Sequence, residues 1–286
     1  MQPAISNPQP PLHFSQGSLQ DYVDCRRRFQ LRYLLHLAWP ALEAEPVQEH
    51  ERDLQQGALF HRLIQQHLLG VPADRLSIMA KDEELERWWQ NYLEFSREGL
   101  AGLGDRKVIA PEIVLSAPLA GQRLVAKYDL IIILPGPRAV ILDWKTSRKK
   151  LRRQWLAERL QTRVYPYLLV QTGAHLNQGQ PFQPDQVEMI YWLANFPTEA
   201  ERFPYSPSQF KKDGEYLASL IAEIQSLETD DFHLTPHEER CRFCTYRSLC
   251  QRGVKAGDLG EKETDLEMTE ELEAALDFEQ IAEIEF

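Results

Sequence analysis

The chain has 286 residues, 43% of them hydrophobic, enough for one large domain or two small ones around an ordinary core. Its longest apolar stretches are strand-sized, such as residues 130–134 (LIIIL), and its start, MQPAISNPQPPLHF, lacks the basic region and apolar block of a signal peptide; a soluble cytoplasmic protein with no membrane span is the expectation. The formal charge of −11 belongs to a C-terminal tail, because residues 258–286 hold 12 Asp and Glu against one Lys while the rest balances at 31 basic and 31 acidic residues, so the net acidity does not exclude a polyanionic partner for the body.

Residues 1–13 contain four prolines and few apolar anchors, the pattern of a loose arm. From Ser18 to about Leu37, apolar residues recur mostly at three- and four-residue steps, which predicts a helix with Ser18 as its cap and Asp21 in its first turn. That helix carries Cys25 and a basic cluster, Arg26, Arg27, Arg28 and Arg32. Further helices are predicted over Asp53–Leu69 and Asp82–Gly99. The period then changes. Residues 108–117, 122–134 and 138–144 are rich in Val, Ile and Leu, are broken by Gly and Pro, and read as three consecutive strands. A second basic cluster, Arg148 to Arg153, follows. Both clusters suit phosphate contacts, and both equally suit solvated helix faces. Residues 151–171 return to a helical pattern, with a kink predicted at Pro166, which lacks an N–H to donate. Residues 186–194 read as a fourth strand and 207–227 as a helix. Helices, three strands, helix, strand, helix is an α/β order.

The segment AVILDWKTS places Asp143 and Lys145 two apart at the end of an apolar strand, so they share one face and Trp144 points the other way. One strand earlier, KYDLIIIL sets Asp129 at the entry to another apolar run. If these strands are neighbours, Asp129 and Asp143 converge. Two carboxylates held close repel unless a cation lies between them, and Mg²⁺ or Mn²⁺ is bound by one or two carboxylates, waters and substrate phosphate. A lysine beside them suits orienting or deprotonating a water and stabilising charge on phosphorus. An isolated D-x-K is also the pattern of a strand-end salt bridge. Gln161 and Tyr165, four apart, share a helix face. His61 lies on the apolar face of its helix with Leu54, Gly57, Ile64 and Leu68, as a core histidine or a ligand would; His67 is off that stripe. Glu112 is a carboxylate in the first strand, either lining the same site or exposed.

The cysteines number four, Cys25, Cys241, Cys244 and Cys250. In a cytosolic chain the C-x₂-C-x₅-C cluster suggests metal rather than disulfides. With Cys25 as the fourth thiolate, spacing alone suits tetrahedral Zn²⁺ or an iron–sulfur cluster.

Taken together, these residues resemble the RecB/AddB-type branch of the PD-(D/E)XK nuclease superfamily, from about His13 to Arg252. GSLQDYVDCRRRFQLRYL resembles its N-terminal cysteine-bearing helix, and GALFHRLI its Gly-x-x-x-His helix, which implies that His61 is a metal ligand. AKYDLIIIL and ILDWKTS resemble the two metal-binding strands, implying Asp129 and Asp143 as ligands and Lys145 as catalytic. QTRVYPYLL resembles the Gln-x-x-x-Tyr helix, adding Gln161 and Tyr165. CRFCTYRSLC resembles the terminal cysteine segment. Arg26 stands where the family usually has proline, Ala126 where a glycine commonly precedes the first aspartate, and Pro166 interrupts the Gln-Tyr helix; none of these removes a ligand. The resemblance implies a restriction-endonuclease-like core, a mixed sheet flanked by helices. It further implies N- and C-terminal helical segments joined by a [4Fe-4S] cluster on Cys25, Cys241, Cys244 and Cys250, with Zn²⁺ as the alternative.

The expected organisation is a flexible arm (1–13), a nuclease domain (14–252) and an acidic tail (253–286). The expected function is metal-dependent DNA cleavage, as an exonuclease or end-processing enzyme in repair, recombination or foreign-DNA processing. A non-catalytic DNA-binding or scaffold subunit of a helicase–nuclease complex is the alternative, and a redox-active cluster protein a third. The chain lacks G-x-x-x-x-G-K-[ST], so it is not itself a helicase motor. A helicase or other repair protein could dock on the acidic tail, which would equally serve as a disordered solubilising segment.

Overall fold

The computed structural model describes residues 13–37, 45–100, 108–136, 138–241 and 244–253. The acidic tail from Asp258 on, and all of the N-terminal arm except His13, lie outside the described residues. Among the described residues the sheet has six strands: β1 (His13–Phe14), β2 (Val108–Leu119), β3 (Gln122–Leu134), β4 (Arg138–Lys145), β5 (Val187–Leu193) and β6 (Glu201–Pro204). The order runs β1-β3-β4-β5-β6, with β2 along the other side of β3. β2, β3 and β4 are antiparallel neighbours, β4 and β5 are parallel, and β6 returns antiparallel to β5. The sheet is therefore mixed and open, with helices on both faces, as the restriction-endonuclease-like expectation required.

Two apolar clusters sandwich it. On one face Ile131, Ile133, Ile141, Met189 and Tyr191 pack against α1 (Gln16–Asp24), α7 (Leu160–Thr172) and α8 (Pro207–Ser226). On the other, Leu130, Ile132, Leu142, Trp144 and Trp192 pack against α3 (Glu45–Leu68), α4 (Ala73–Ser77) and α5 (Glu83–Phe95). The alternation of β4 sorts its residues cleanly. Odd positions meet α7 and even ones, Trp144 among them, enter an aromatic cluster with Phe60, Trp88, Tyr92 and Trp192.

Several expected boundaries move. Helix α1 is capped by Ser15, not Ser18. Ser15 accepts from the Ser18 N–H, and the Ser18 hydroxyl sits at the third helical position as the reciprocal half of a capping box. The predicted helix 18–37 is broken at Cys25, whose extended backbone (φ −163°, ψ 107°) separates α1 from α2 (Arg26–Phe29), which continues as a π-helical turn over Gln30–Leu34. Asp21 lies buried inside α1 with Arg28 at 2.6 Å and Arg32 at 3.4 Å. Helix α3 begins at Glu45, earlier than Asp53. The stretch 151–171 is interrupted at Arg159, between α6 (Arg153–Glu158) and α7, and α7 runs on through Pro166. His13, expected in the loose arm, is part of β1.

Among the described residues no helix is long and apolar enough to cross a membrane.

Candidate active site

The middle of β3 and the end of β4 meet the N-terminal turn of α7. Asp143 and Lys145 are both buried, and both face α7. Lys145 Nζ lies 3.0 Å from Asp143 Oδ2 and donates to Gln161 Oε1 at 3.0 Å, while Gln161 Nε2 donates to Asp143 Oδ1 at 2.7 Å. An ammonium only donates and an ionised carboxylate only accepts, so this ring of contacts fixes which way the Gln161 amide points. The Tyr191 ring lies beneath, 5.4 Å from Lys145 Nζ, adding a cation–π contact to a buried charge.

Asp129 reaches the same place from β3. The β3–β4 register pairs Leu130 with Leu142, so one step further along Asp129 stands opposite Asp143. Its Oδ2 accepts the backbone N–H of Trp144 at 2.9 Å, which ties the two strands at the site. Its Oδ1 lies 3.2 Å from His61 Nδ1. His61 arrives on α3, which packs over the opposite face of the sheet. Gly57, one turn earlier, allows that approach, because a Cβ there would stand 3.2 Å from Thr146 Oγ1.

Burial disfavours a charged His61 imidazole, but Asp129 first, then Asp143 and Glu112, outweigh it and push its pKa up to about 9. Burial would raise the Asp129 carboxyl; His61, the Trp144 N–H and Lys145 together hold it below its ordinary value. Glu112 is raised by burial and then by the Asp129 charge, against the pull of its ion-pair partner Lys127 and of His61.

The structure thus brings Asp129, Asp143, Lys145, Gln161 and His61 together. Tyr165 is placed differently. Its hydroxyl donates to the Lys127 carbonyl at 2.7 Å, its own carbonyl accepts from Tyr128 OH at 2.8 Å, and the two ring centroids lie 4.6 Å apart with the planes tilted by 43°. Tyr165 clasps α7 to β3 two residues before Asp129. His67 bonds Tyr92 OH at 2.9 Å among core aromatics. The Trp144 N–H, as a backbone group, is a site contributor that no side-chain pattern advertises.

Among the described residues, no three of His, Cys, Asp and Glu stand close enough to hold an ion as the side chains lie. The donor chemistry nonetheless fits a divalent cation. Asp129 and Asp143 face each other, the charges now balancing them are the His61 proton and Lys145, and a cation would take over the proton's part.

The four cysteines are free thiols. Burial raises the pKa of Cys241, Cys244 and Cys250, and Cys25 is near enough to raise each further. Hydrogen bonds around them join the two ends of the domain: the Arg27 backbone N–H donates to His233 O at 3.2 Å, and the Arg240 side chain donates through Nη1 to Val23 O at 3.3 Å and Asp24 O at 3.2 Å. Cys25, at the break between two helices, is thus within electrostatic range of the other three thiols, although no three of the four stand at the spacing of metal ligands.

A mixed sheet carrying opposed aspartates, a D-x-K strand end and a supporting glutamine is the frame of a phosphodiester hydrolase. Residues 13–251 match the family model of the PD-(D/E)XK nuclease superfamily, and the chain belongs to that superfamily. Its members generally use Mg²⁺ or Mn²⁺. Among solved structures, the chain resembles SSO0001 with 12% identity and a TM-score of 0.40, over 85% of this chain and 87% of that one. It also resembles a protein of Eubacterium rectale described provisionally as an exonuclease, with 10% identity and a TM-score of 0.47, over 79% and 86% of the two chains. A search of curated proteins gave no match.

Proposed function

We propose that this protein is a RecB/AddB-type deoxyribonuclease that hydrolyses phosphodiester bonds in DNA, acting on ends or single strands in repair, recombination or foreign-DNA processing. The observation that carries the reading is the closed contact ring of Asp143, Lys145 and Gln161 opposite Asp129. A buried lysine and two aspartates are costly to desolvate, and here they are gathered where α7, β3 and β4 meet. In this reading Asp129, Asp143 and His61 hold a Mg²⁺ or Mn²⁺ ion, which supplies charge stabilisation to the phosphoryl oxygens. Lys145 orients the attacking water and stabilises the charge that develops beside it. Gln161 fixes the positions of Lys145 and Asp143. A water oxygen bonds to phosphorus, one ester P–O bond breaks, and the proton lost from the water balances the proton gained by the leaving oxygen.

Asp143→Asn tests this. The change keeps the shape and the Gln161 contact but removes the charge that a cation needs. The expected result is loss of Mn²⁺-dependent cleavage of end-labelled DNA with melting little changed; wild-type cleavage by the variant refutes the assignment of Asp143, and absence of cleavage by the unmutated protein leaves the scaffold alternative.

The proposal extends to the cysteines. Cys25, Cys241, Cys244 and Cys250 together are read as ligands of a [4Fe-4S] cluster, supported by the effect of Cys25 on all three partners and by the packing of residues 23–27 on 233–240. Zinc on the same thiols is the alternative that a metal assay of anaerobically purified protein decides. The acidic tail is read as a docking segment for a helicase or other repair protein.

A further inference from the structure

Register across the sheet extends the candidate site by one strand. β2 and β3 pair Pro111 with Leu130 and Ile113 with Tyr128, leaving Glu112 and Asp129 facing each other but out of the ladder. Asp129 in turn comes opposite Asp143 one step beyond the last β3–β4 pair, Leu130 with Leu142. Three carboxylate-bearing residues therefore lie in one row across three adjacent strands, whose backbones are spaced by about 4.8 Å.

Two further observations mark the row as built for something. Glu112 has φ +53°, a left-handed backbone that costs a residue with a Cβ about 1 kcal/mol or more and that gathers at functional sites. Both strands also change faces there. On β3, Leu124, Ala126 and Tyr128 face the α7 side, as Ile131 and Ile133 do beyond Asp129, while Leu130 and Ile132 face the α3 side. On β2, Ala110 and Ile113 both face the α7 side, so the alternation switches between them. The switch falls at Glu112 on one strand and Asp129 on the other. The Glu112 carboxylate is mostly buried and ion-paired with Lys127, and it is near enough to act on the His61 imidazole.

We propose that Glu112 is a further carboxylate of the cation site. When a divalent ion is bound between Asp129 and Asp143, Glu112 exchanges its Lys127 partner for the ion, and the left-handed backbone together with the paired switch of faces is what turns it toward that row. The inference rests on the nuclease reading above, but its test separates the two.

Binding of Mn²⁺ alone to the full chain, followed by electron paramagnetic resonance of free Mn²⁺ and by titration calorimetry, reads the site without any cleavage. Glu112→Gln is expected to weaken Mn²⁺ binding about tenfold or more, the usual effect of removing a supporting group of a metal site. Glu112→Gly keeps the left-handed backbone without strain and should lose as much. Lys127→Met removes the competing ammonium and should tighten binding severalfold. Asp143→Asn, measured alongside, should weaken it more than either change at Glu112, and melting curves establish that each variant is folded. Wild-type affinity in Glu112→Gln, or in Glu112→Gly alone, overturns the proposal; the second result would mean that only the backbone shape matters. Unchanged affinity in Asp143→Asn overturns the nuclease reading itself, and this inference with it.

Discussion

Lys145 is buried and in contact with both Asp143 and Gln161, so its loss should be felt in chemistry more than in binding. Lys145→Met is expected to lower kcat by about a hundredfold or more, the worth of a general acid–base or charge-stabilising group, with DNA affinity nearly unchanged. Equal losses in kcat and affinity would make Lys145 a phosphate anchor instead. His61 gives a pH signature. Its pKa is about 9 in the folded apoprotein against an ordinary 6.5. The stability it contributes is therefore complete below about 6.5 and is lost as pH rises through about 9. Melting of the chelated protein across that window should fall more steeply for wild type than for His61→Gln, and identical slopes would contradict the His61–Asp129 pair. The D-x-K end and the second aspartate were legible in sequence because strand alternation puts odd positions of β4 on one face. The left-handed backbone at Glu112 was not, because no glycine marks it. Nor was the contact of Tyr165 with a backbone carbonyl, since helix spacing says which face a side chain shares but not how far it reaches.

At the scale of elements, α3 is set by a close approach rather than by propensity. Gly57→Ala should raise stability by about 1 kcal/mol on helix propensity alone. The added Cβ would instead press on the buried Thr146 Oγ1 at 3.2 Å, and overpacking of this kind costs about 1–3 kcal/mol. The expected net result is a lower melting temperature and weaker Mn²⁺ binding, because His61 sits one turn further along. Adding Thr146→Ala should restore much of both. If Gly57→Ala stabilises the protein, the close approach is not limiting. The long elements could be read from the sequence by their periods: β2 to β5, α5 and α8 lie within a few residues of expectation. Strands β1 and β6, with two and four residues, and α4, with five, are too short to show a period. The breaks at Cys25 and Arg159 carry neither Gly nor Pro. At Cys25 the extended backbone leaves the helix beside residues 233–240, a tertiary contact that local sequence does not encode.

Across the whole molecule, the N-terminal helices and the C-terminal segment hold one another. Tyr22 OH donates to Glu223 Oε1 at 2.8 Å and Gln30 Nε2 to Thr229 O at 2.7 Å. A cluster on all four thiols would close a loop spanning nearly the whole domain, and crosslinks over long loops contribute several kcal/mol, of order 3–5. Cys25→Ser should therefore remove visible absorbance and iron, and lower the melting temperature as much as Cys241→Ser does. Full metal content and unchanged melting in Cys25→Ser would dissolve the tie. The central claim, that this sheet cuts DNA with a divalent cation, is met most directly by one assay: anaerobically purified full-length protein on end-labelled single-stranded, duplex and forked DNA, with Mn²⁺ and with chelator. Cleavage that appears with Mn²⁺, vanishes with chelator and is absent in Asp143→Asn is the predicted result; no cleavage of any of the three substrates with Mn²⁺ present, or cleavage indifferent to chelator and to Asp143, would contradict it.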